Sequence, residues 1–230
     1  MIPALIAAGA LGMVIAWRLS ASGKVSIWVS SPVLFLAIGS AALATGRVSL
    51  SPRVNPWLAG VAGAGSGAAL YGATAAFVWF VSRWAMFDRH VAELYARRTG
   101  LPLPAAILLA AGVTAPGEEV FWRGMAQGRF AESLGWPKAA LVVWGASVAC
   151  YLASGSLPII TGAVVAGAVW SGLALWTHGV LASILSHVVW TALMVGLPPG
   201  RTARLAAQAT AAAAEASAGP ASAGHAPAGP

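Results

Sequence analysis

Apolar runs close to the length of a bilayer span dominate this sequence and constrain its fold more than any other feature. A spanning helix needs about 20 mostly apolar residues, because each residue advances about 1.5 Å through a hydrocarbon core about 30 Å thick. Seven runs approach or reach that length: residues 2–17, 27–44, 57–81, 103–117, 137–153, 157–176 and 180–197. The sequence therefore predicts about seven membrane spans.

The composition of these runs predicts helices. They are continuously apolar and lack the alternation of apolar and polar residues that is typical of barrel strands. A lone segment in lipid must pair its own backbone groups, which favours the helix. Charged residues make up only 8% of the chain, against about 25% in soluble domains, so they could not cover a soluble surface. We predict an all-α fold, a polytopic transmembrane helical bundle in the cell (plasma) membrane.

The segments outside the spans have their own character. Apolar residues at 84, 87, 91, 94 and 95 follow helical spacing, which predicts an amphipathic helix near 83–99 in the membrane interface. Residues 199–230 are rich in Ala, Pro and Gly, so we predict a disordered tail. The net charge of +7 is distributed between the spans. This distribution favours membrane lipids as partners and argues against nucleic acid.

Small residues inside the spans suggest close packing between helices. Gly63 and Gly67 have the four-residue spacing at which helix backbones can approach, and so do Gly124 and Gly128. With 27 glycines in the chain, some such spacings arise by chance.

The strongest chemical signal follows the fourth apolar run, where Pro116 and Gly117 lead into Glu118 and Glu119. Ionisable residues at membrane depth are costly, which makes them candidates for a functional site. Glu119 and Arg123 are one helical turn apart and could form an ion pair, whereas Glu118 points about 100° away and could face a cavity. Pro116 should kink the helix. Alternatively, the span ends at Gly117 and both glutamates are ordinary interfacial charges.

A second polar residue, His187, lies inside the last apolar run, and Thr191 shares its helix face. A single histidine in a membrane helix is more often a packing residue than a ligand. Glu118, however, offers it a possible partner. A carboxylate and an imidazole could together activate water, either as base and orienting group or as base and metal ligand.

The segment with Glu118, Glu119, Arg123 and Gly124, followed by a later helix with His187, resembles the CPBP family of intramembrane endopeptidases. That family includes the type II CAAX prenyl proteases and bacteriocin-processing or self-immunity proteins. The resemblance implies a catalytic-type helical core at 101–198 and variable N-terminal helices at 1–100. It also implies that Glu118 is the water-activating base, that Glu119 and Arg123 support it, and that His187 is a ligand or an oxyanion-stabilising group.

Three positions in two motifs depart from the family pattern. The second family motif is Phe followed four residues later by His, and here the matching residues are Cys150 and Ser154. The family Asn four residues after the last His is Thr191 here. Ser154 thus stands where the family has a second histidine.

These departures reduce the number of ligands for a zinc ion, which the resemblance makes a possible cofactor. A catalytic zinc site normally has three protein ligands and a water. Glu118 and His187 are the candidate ligands, and a site would also need Glu119, which makes a poorer set than the family's. His178 would lie on the opposite face of a straight helix from His187.

Two functions therefore remain open. The first is an intramembrane endopeptidase that hydrolyses a peptide bond of a peptide or membrane protein near the membrane face, with Glu118-activated water and His187. The second is a catalytically degenerate protein of the same fold that binds a peptide, a lipid or a protein partner.

Overall fold

In the computed structural model, which describes residues 2–96, 101–201, 203–205, 208–210 and 212, no strand occurs among these residues. The described residues in 2–96 and 101–196 form eight helices. In chain order they are α1 (Ile2–Ala21), α2 (Ile27–Ala44), α3 (Pro56–Val81), α4 (Ala85–Ala96), α5 (Leu103–Leu134), α6 (Trp136–Tyr151), α7 (Leu157–Thr177) and α8 (Leu181–Gly196). Six of them are long and apolar enough to cross a membrane, and α8 is a shorter apolar helix. The prediction of a polytopic helical bundle is confirmed.

Helix α5 differs most from the sequence-based expectation. The predicted fourth run stopped at residue 117, whereas α5 continues to Leu134. Wider π-helical turns at Leu108–Thr114 and Val120–Gln127 flank the short α-helical segment Ala115–Glu119. Pro116 lies in that middle segment and has no N–H to donate to the preceding turn. Turns of this kind often mark functional sites.

Helix α3 positions α8 through two glycines. A Cβ on Gly63 would lie 2.5 Å from the carbonyl oxygen of Ala182, and one on Gly67 would collide with the carbonyl oxygen of Ser186. The missing side chains allow the two backbones to touch, and the residue after Ser186 is His187. The predicted close approach at Gly63 and Gly67 is confirmed. Gly124 instead faces the side chains of Val48 and Val180.

Two further contacts fix the helices around the site. Helix α2 crosses α5 at Gly117, where a Cβ would lie 2.5 Å from the carbonyl oxygen of Phe35. The loop after α2 holds the turn between α7 and α8, because the Val180 N–H donates to the Ser49 carbonyl at 3.0 Å. The glutamate segment and the start of α8 are therefore both held by backbone contacts.

The predicted helix near 83–99 is present as α4, Ala85–Ala96, and residues 97–99 lie outside the described residues. Its buried face consists of Phe87, Val91 and Tyr95, which pack with Val78 and Val81 of α3. Its place in the membrane interface stays a prediction. Most of the predicted tail, including everything after residue 212, also lies outside the described residues.

The contact between α3 and α8 can be tested with paired alanine substitutions. Gly63→Ala forces a methyl group against the α8 backbone and should lower the free energy of unfolding by about 1–3 kcal/mol. Gly65→Ala is the matched control, since no atom lies within 4 Å of its added Cβ and alanine favours the helix. Thermal unfolding in detergent measures both, and equal melting temperatures would contradict the packing.

Candidate active site

Glu118 is buried and bonded to a tyrosine. It lies at the centre of α5 and is 2% exposed. The Tyr151 hydroxyl, at the end of α6, lies 2.7 Å from each of its carboxylate oxygens. Glu118 is thus buried inside the bundle, which contradicts the alternative of an exposed interfacial charge, and its depth in the membrane stays a prediction.

Glu119 is also fully buried and has charged partners. Its Oε1 lies 3.2 Å from Nη1 of Arg123 and 2.9 Å from Nδ1 of His187. The one-turn ion pair predicted from the spacing is therefore present. The expectation that His187 would partner Glu118 is corrected, because the imidazole hydrogen-bonds to Glu119 instead.

Helix α7 completes the surroundings of Arg123. Nη2 of Arg123 donates to the Gly167 carbonyl at 3.1 Å, and Nε lies 3.4 Å from Oγ of Ser171. The Trp170 ring stacks on His187 with centroids 3.6 Å apart, and the guanidinium lies 5.6 Å from the same ring. A buried ion pair needs such additional hydrogen bonds to offset the cost of desolvation.

A cavity of about 480 Å³ reaches these groups. Most of its wall is apolar and comes from α2, α3, α4, α7 and α8. Glu118, Tyr151 and His187 line one part of it, together with Thr114 and Thr191. The predicted shared face of His187 and Thr191 is thus present, and Glu118 opens onto the same space. Glu119 and Arg123 support this wall from behind.

Cys150 and Ser154, which occupy the positions of the second family motif, do not line the cavity. The Ser154 hydroxyl accepts a hydrogen bond from the Ser156 backbone N–H at 3.2 Å, and Ser154 is not among the described residues that line the cavity. Cys150 is buried in the core beside α1. His178 ends α7 in the left-handed conformation and stacks on Trp136, so it lies outside the cavity.

Sequence reasoning missed Tyr151 and Trp170. Both lie inside apolar runs, where an aromatic residue is normally a packing residue. One signal for Tyr151 was available, since a phenol in a membrane span needs a hydrogen-bond partner and Glu118 needed a donor. Nothing in the sequence singled out Trp170.

The groups at the site do not fit a catalytic zinc. Among the described residues, no three His, Cys, Asp or Glu side chains converge as a metal-binding group. Nδ1 of His187 is held by Oε1 of Glu119, so the other ring nitrogen, Nε2, points away from that carboxylate. Glu119 does not line the cavity, so Glu118 and Nε2 of His187 are the two candidate ligands that reach it, one fewer than catalytic zinc sites normally have.

Metal analysis tests this mismatch. We expect purified protein to hold substoichiometric zinc by mass spectrometry, with no change in Glu118→Ala or His187→Ala. One zinc per chain that His187→Ala removes would contradict it.

The ion pair gives a stability prediction. Arg123→Ala leaves the Glu119 carboxylate without its cation and should lower the free energy of unfolding by about 3–5 kcal/mol. Arg129→Ala is the control, because it breaks an exposed pair with Glu132 at 2.6 Å, and such pairs contribute at most about 1 kcal/mol. Denaturant titration in detergent compares them, and equal losses would show that the Glu119 pair is not buried.

Comparison with known proteins gives a match to part of the chain. No curated protein and no solved structure matches the chain. Residues 100–193 match the family model described as Type II CAAX prenyl endopeptidase Rce1-like. The matched segment begins just before α5 and ends within α8, so it contains Glu118, Glu119, Arg123 and His187. Residues 100–193 of this integral membrane protein are therefore similar to the Rce1-like family of type II CAAX prenyl endopeptidases.

Proposed function

We propose that the protein is an intramembrane endopeptidase that hydrolyses a peptide bond near the membrane face, with water activated by Glu118 and with His187 as the second polar group. One observation carries the proposal. The Glu118 carboxylate and the His187 ring come from different helices and line the same cavity.

Glu118 suits the role of the base. Its carboxylate has no cation in hydrogen-bond contact among the described residues, and its partner is the neutral Tyr151 hydroxyl. A general base must lie within hydrogen-bond reach of the proton that it takes. A water in the cavity can reach Glu118, whereas Glu119 does not line the cavity and its Oε1 is occupied by Arg123 and His187.

His187 is held in one orientation. Glu119 accepts a hydrogen bond from Nδ1, and Trp170 stacks on the ring face. Nε2 is therefore the ring atom left to contact a substrate. An imidazole oriented by a carboxylate in this way is a recurring element of hydrolytic sites.

The reaction needs these two groups and one water. Glu118 takes a proton from water while the oxygen attacks the peptide carbonyl carbon, and the carbonyl electron pair moves to its oxygen. Nε2 of His187, in the same polar part of the cavity, is placed to hydrogen-bond to the substrate. The proton on Glu118 then passes to the leaving amide nitrogen as the C–N bond breaks, which gives a carboxylic acid and an amine.

The cavity also indicates the kind of substrate. An apolar wall and a volume of about 480 Å³ favour apolar side chains around the scissile bond. Such a peptide would reach the site from the surrounding membrane. We propose the cell (plasma) membrane as its location and a peptide or membrane protein as its substrate.

A non-catalytic binding role is the second candidate. It is favoured by the Ser154 hydroxyl, which is turned to the Ser156 backbone and adds no third group to the site. In that case the cavity would bind an apolar peptide or a lipid without cleaving it.

Peptide cleavage distinguishes the two. Protein reconstituted in liposomes is incubated with a proteome-derived peptide library, and new termini are identified by mass spectrometry. Glu118→Gln keeps the shape of the side chain but cannot take the proton, so we expect kcat/KM to fall by about 10²–10⁴-fold. Glu132→Gln, which changes an exposed glutamate, should cleave like the wild type.

His187→Ala should also reduce cleavage while the protein stays folded. If no library peptide is cleaved by the wild type, or if Glu118→Gln cleaves as fast, the endopeptidase proposal is overturned. Binding of library peptides without cleavage would favour the second candidate.

A further inference from the structure

Tyr151 belongs to none of the roles that the sequence suggested, yet it is bonded to the proposed base. We propose that Tyr151 is the positioning residue of the reaction, whose hydroxyl holds the Glu118 carboxylate in the orientation that accepts a proton from water. This inference rests on the proposed function.

The geometry is specific. The Tyr151 hydroxyl is equidistant from both Glu118 oxygens at 2.7 Å. It is the one group among the described residues that is seen to donate to that carboxylate. A phenol carries a single proton, so this proton is directed between the two oxygens and fixes the plane of the carboxylate. The terminal torsion of a glutamate is otherwise broad.

The tyrosine is itself held in place. It is the last residue of α6 and is followed by a tight 3₁₀ turn, Leu152–Ser154. Its ring packs against Trp17 of α1 with centroids 5.7 Å apart. The hydroxyl is therefore attached to two helices other than α5. A donor fixed in this way holds the carboxylate from outside α5.

The two adjacent glutamates have partners of different charge, which assigns them different tasks. Glu119 contacts the Arg123 cation. A cation favours the ionised form of a carboxylate and makes it a weaker proton acceptor. Tyr151 is neutral, so it orients Glu118 without a full opposing charge. A carboxylate has room for about four hydrogen bonds, and the tyrosine leaves sites free for the proton of the water.

The proton balance leaves Tyr151 unchanged. Water loses one proton to a Glu118 oxygen as its own oxygen bonds to the carbonyl carbon. The tyrosine hydroxyl can stay on the other carboxylate oxygen throughout this step. The proton then leaves Glu118 for the amide nitrogen, and the original hydrogen bond is restored. Tyr151 contributes orientation in each step and no net proton.

Four variants separate this role from simple packing. Tyr151→Phe and O-methyltyrosine at 151 both remove the donor, and the second keeps the oxygen. 4-Aminophenylalanine at 151 restores an N–H donor at the same ring position. Tyr71→Phe is the matched control, because its hydroxyl donates to the Leu197 carbonyl at 2.8 Å and lies outside the cavity lining.

The measurement is kcat and KM with the library peptide that the wild type cleaves fastest, together with melting temperature. Loss of the donor should lower kcat by about 10- to 100-fold, equivalent to about 1.4–2.7 kcal/mol, with KM changed less than twofold. 4-Aminophenylalanine should recover most of kcat, and Tyr71→Phe should match the wild type.

The possible failures differ from one another. If the wild type cleaves and Tyr151→Phe has the same kcat, the positioning role is wrong while the proposed function stands. If kcat falls together with the melting temperature and 4-aminophenylalanine does not restore it, Tyr151 is a packing residue. If the wild type cleaves nothing, the proposed function and this inference fail together.

Discussion

The buried charge of Glu119 is the constraint on which the site depends. A carboxylate at membrane depth must be paired, and its two partners come from two places in the chain. Arg123 lies one turn along the same helix, and His187 comes from α8. Arg123 in turn bonds to Gly167 of α7. Pairing one charge thus joins α5, α7 and α8 and fixes the imidazole, so the interaction that stabilises the bundle also orients the site.

Close backbone contacts make this pairing possible. The distance between His187 and Glu119 depends on where α8 lies, and α8 lies against α3 at Gly63 and Gly67. Membrane helices lack a strong hydrophobic drive to associate, so small residues and polar contacts decide their packing. A larger residue on α3 would displace the α8 backbone beside the histidine. Residues that do not line the cavity therefore control the geometry within it.

The sequence predicted what depends on local spacing. Hydropathy predicted the spans, because each segment that crosses lipid must be apolar by itself. The four-residue interval predicted the Glu119–Arg123 pair. The full length of α5 was missed because its charged residues interrupt the apolar run, and only burial by other helices makes them tolerable. The contact of His187 with Glu119, and that of Tyr151 with Glu118, depend on how distant helices pack, which no local pattern encodes.

The end of α6 determines both where the Ser154 side chain points and how Tyr151 reaches Glu118. Ser154 is the position at which the resemblance expected a histidine, but the 3₁₀ turn directs its hydroxyl to the Ser156 backbone. Tyr151 lies three residues earlier, at the last α-helical position, and its longer side chain spans the distance to Glu118. The donor for Glu118 is thus supplied by a neighbouring position, and the loss of the histidine does not leave the carboxylate without a partner.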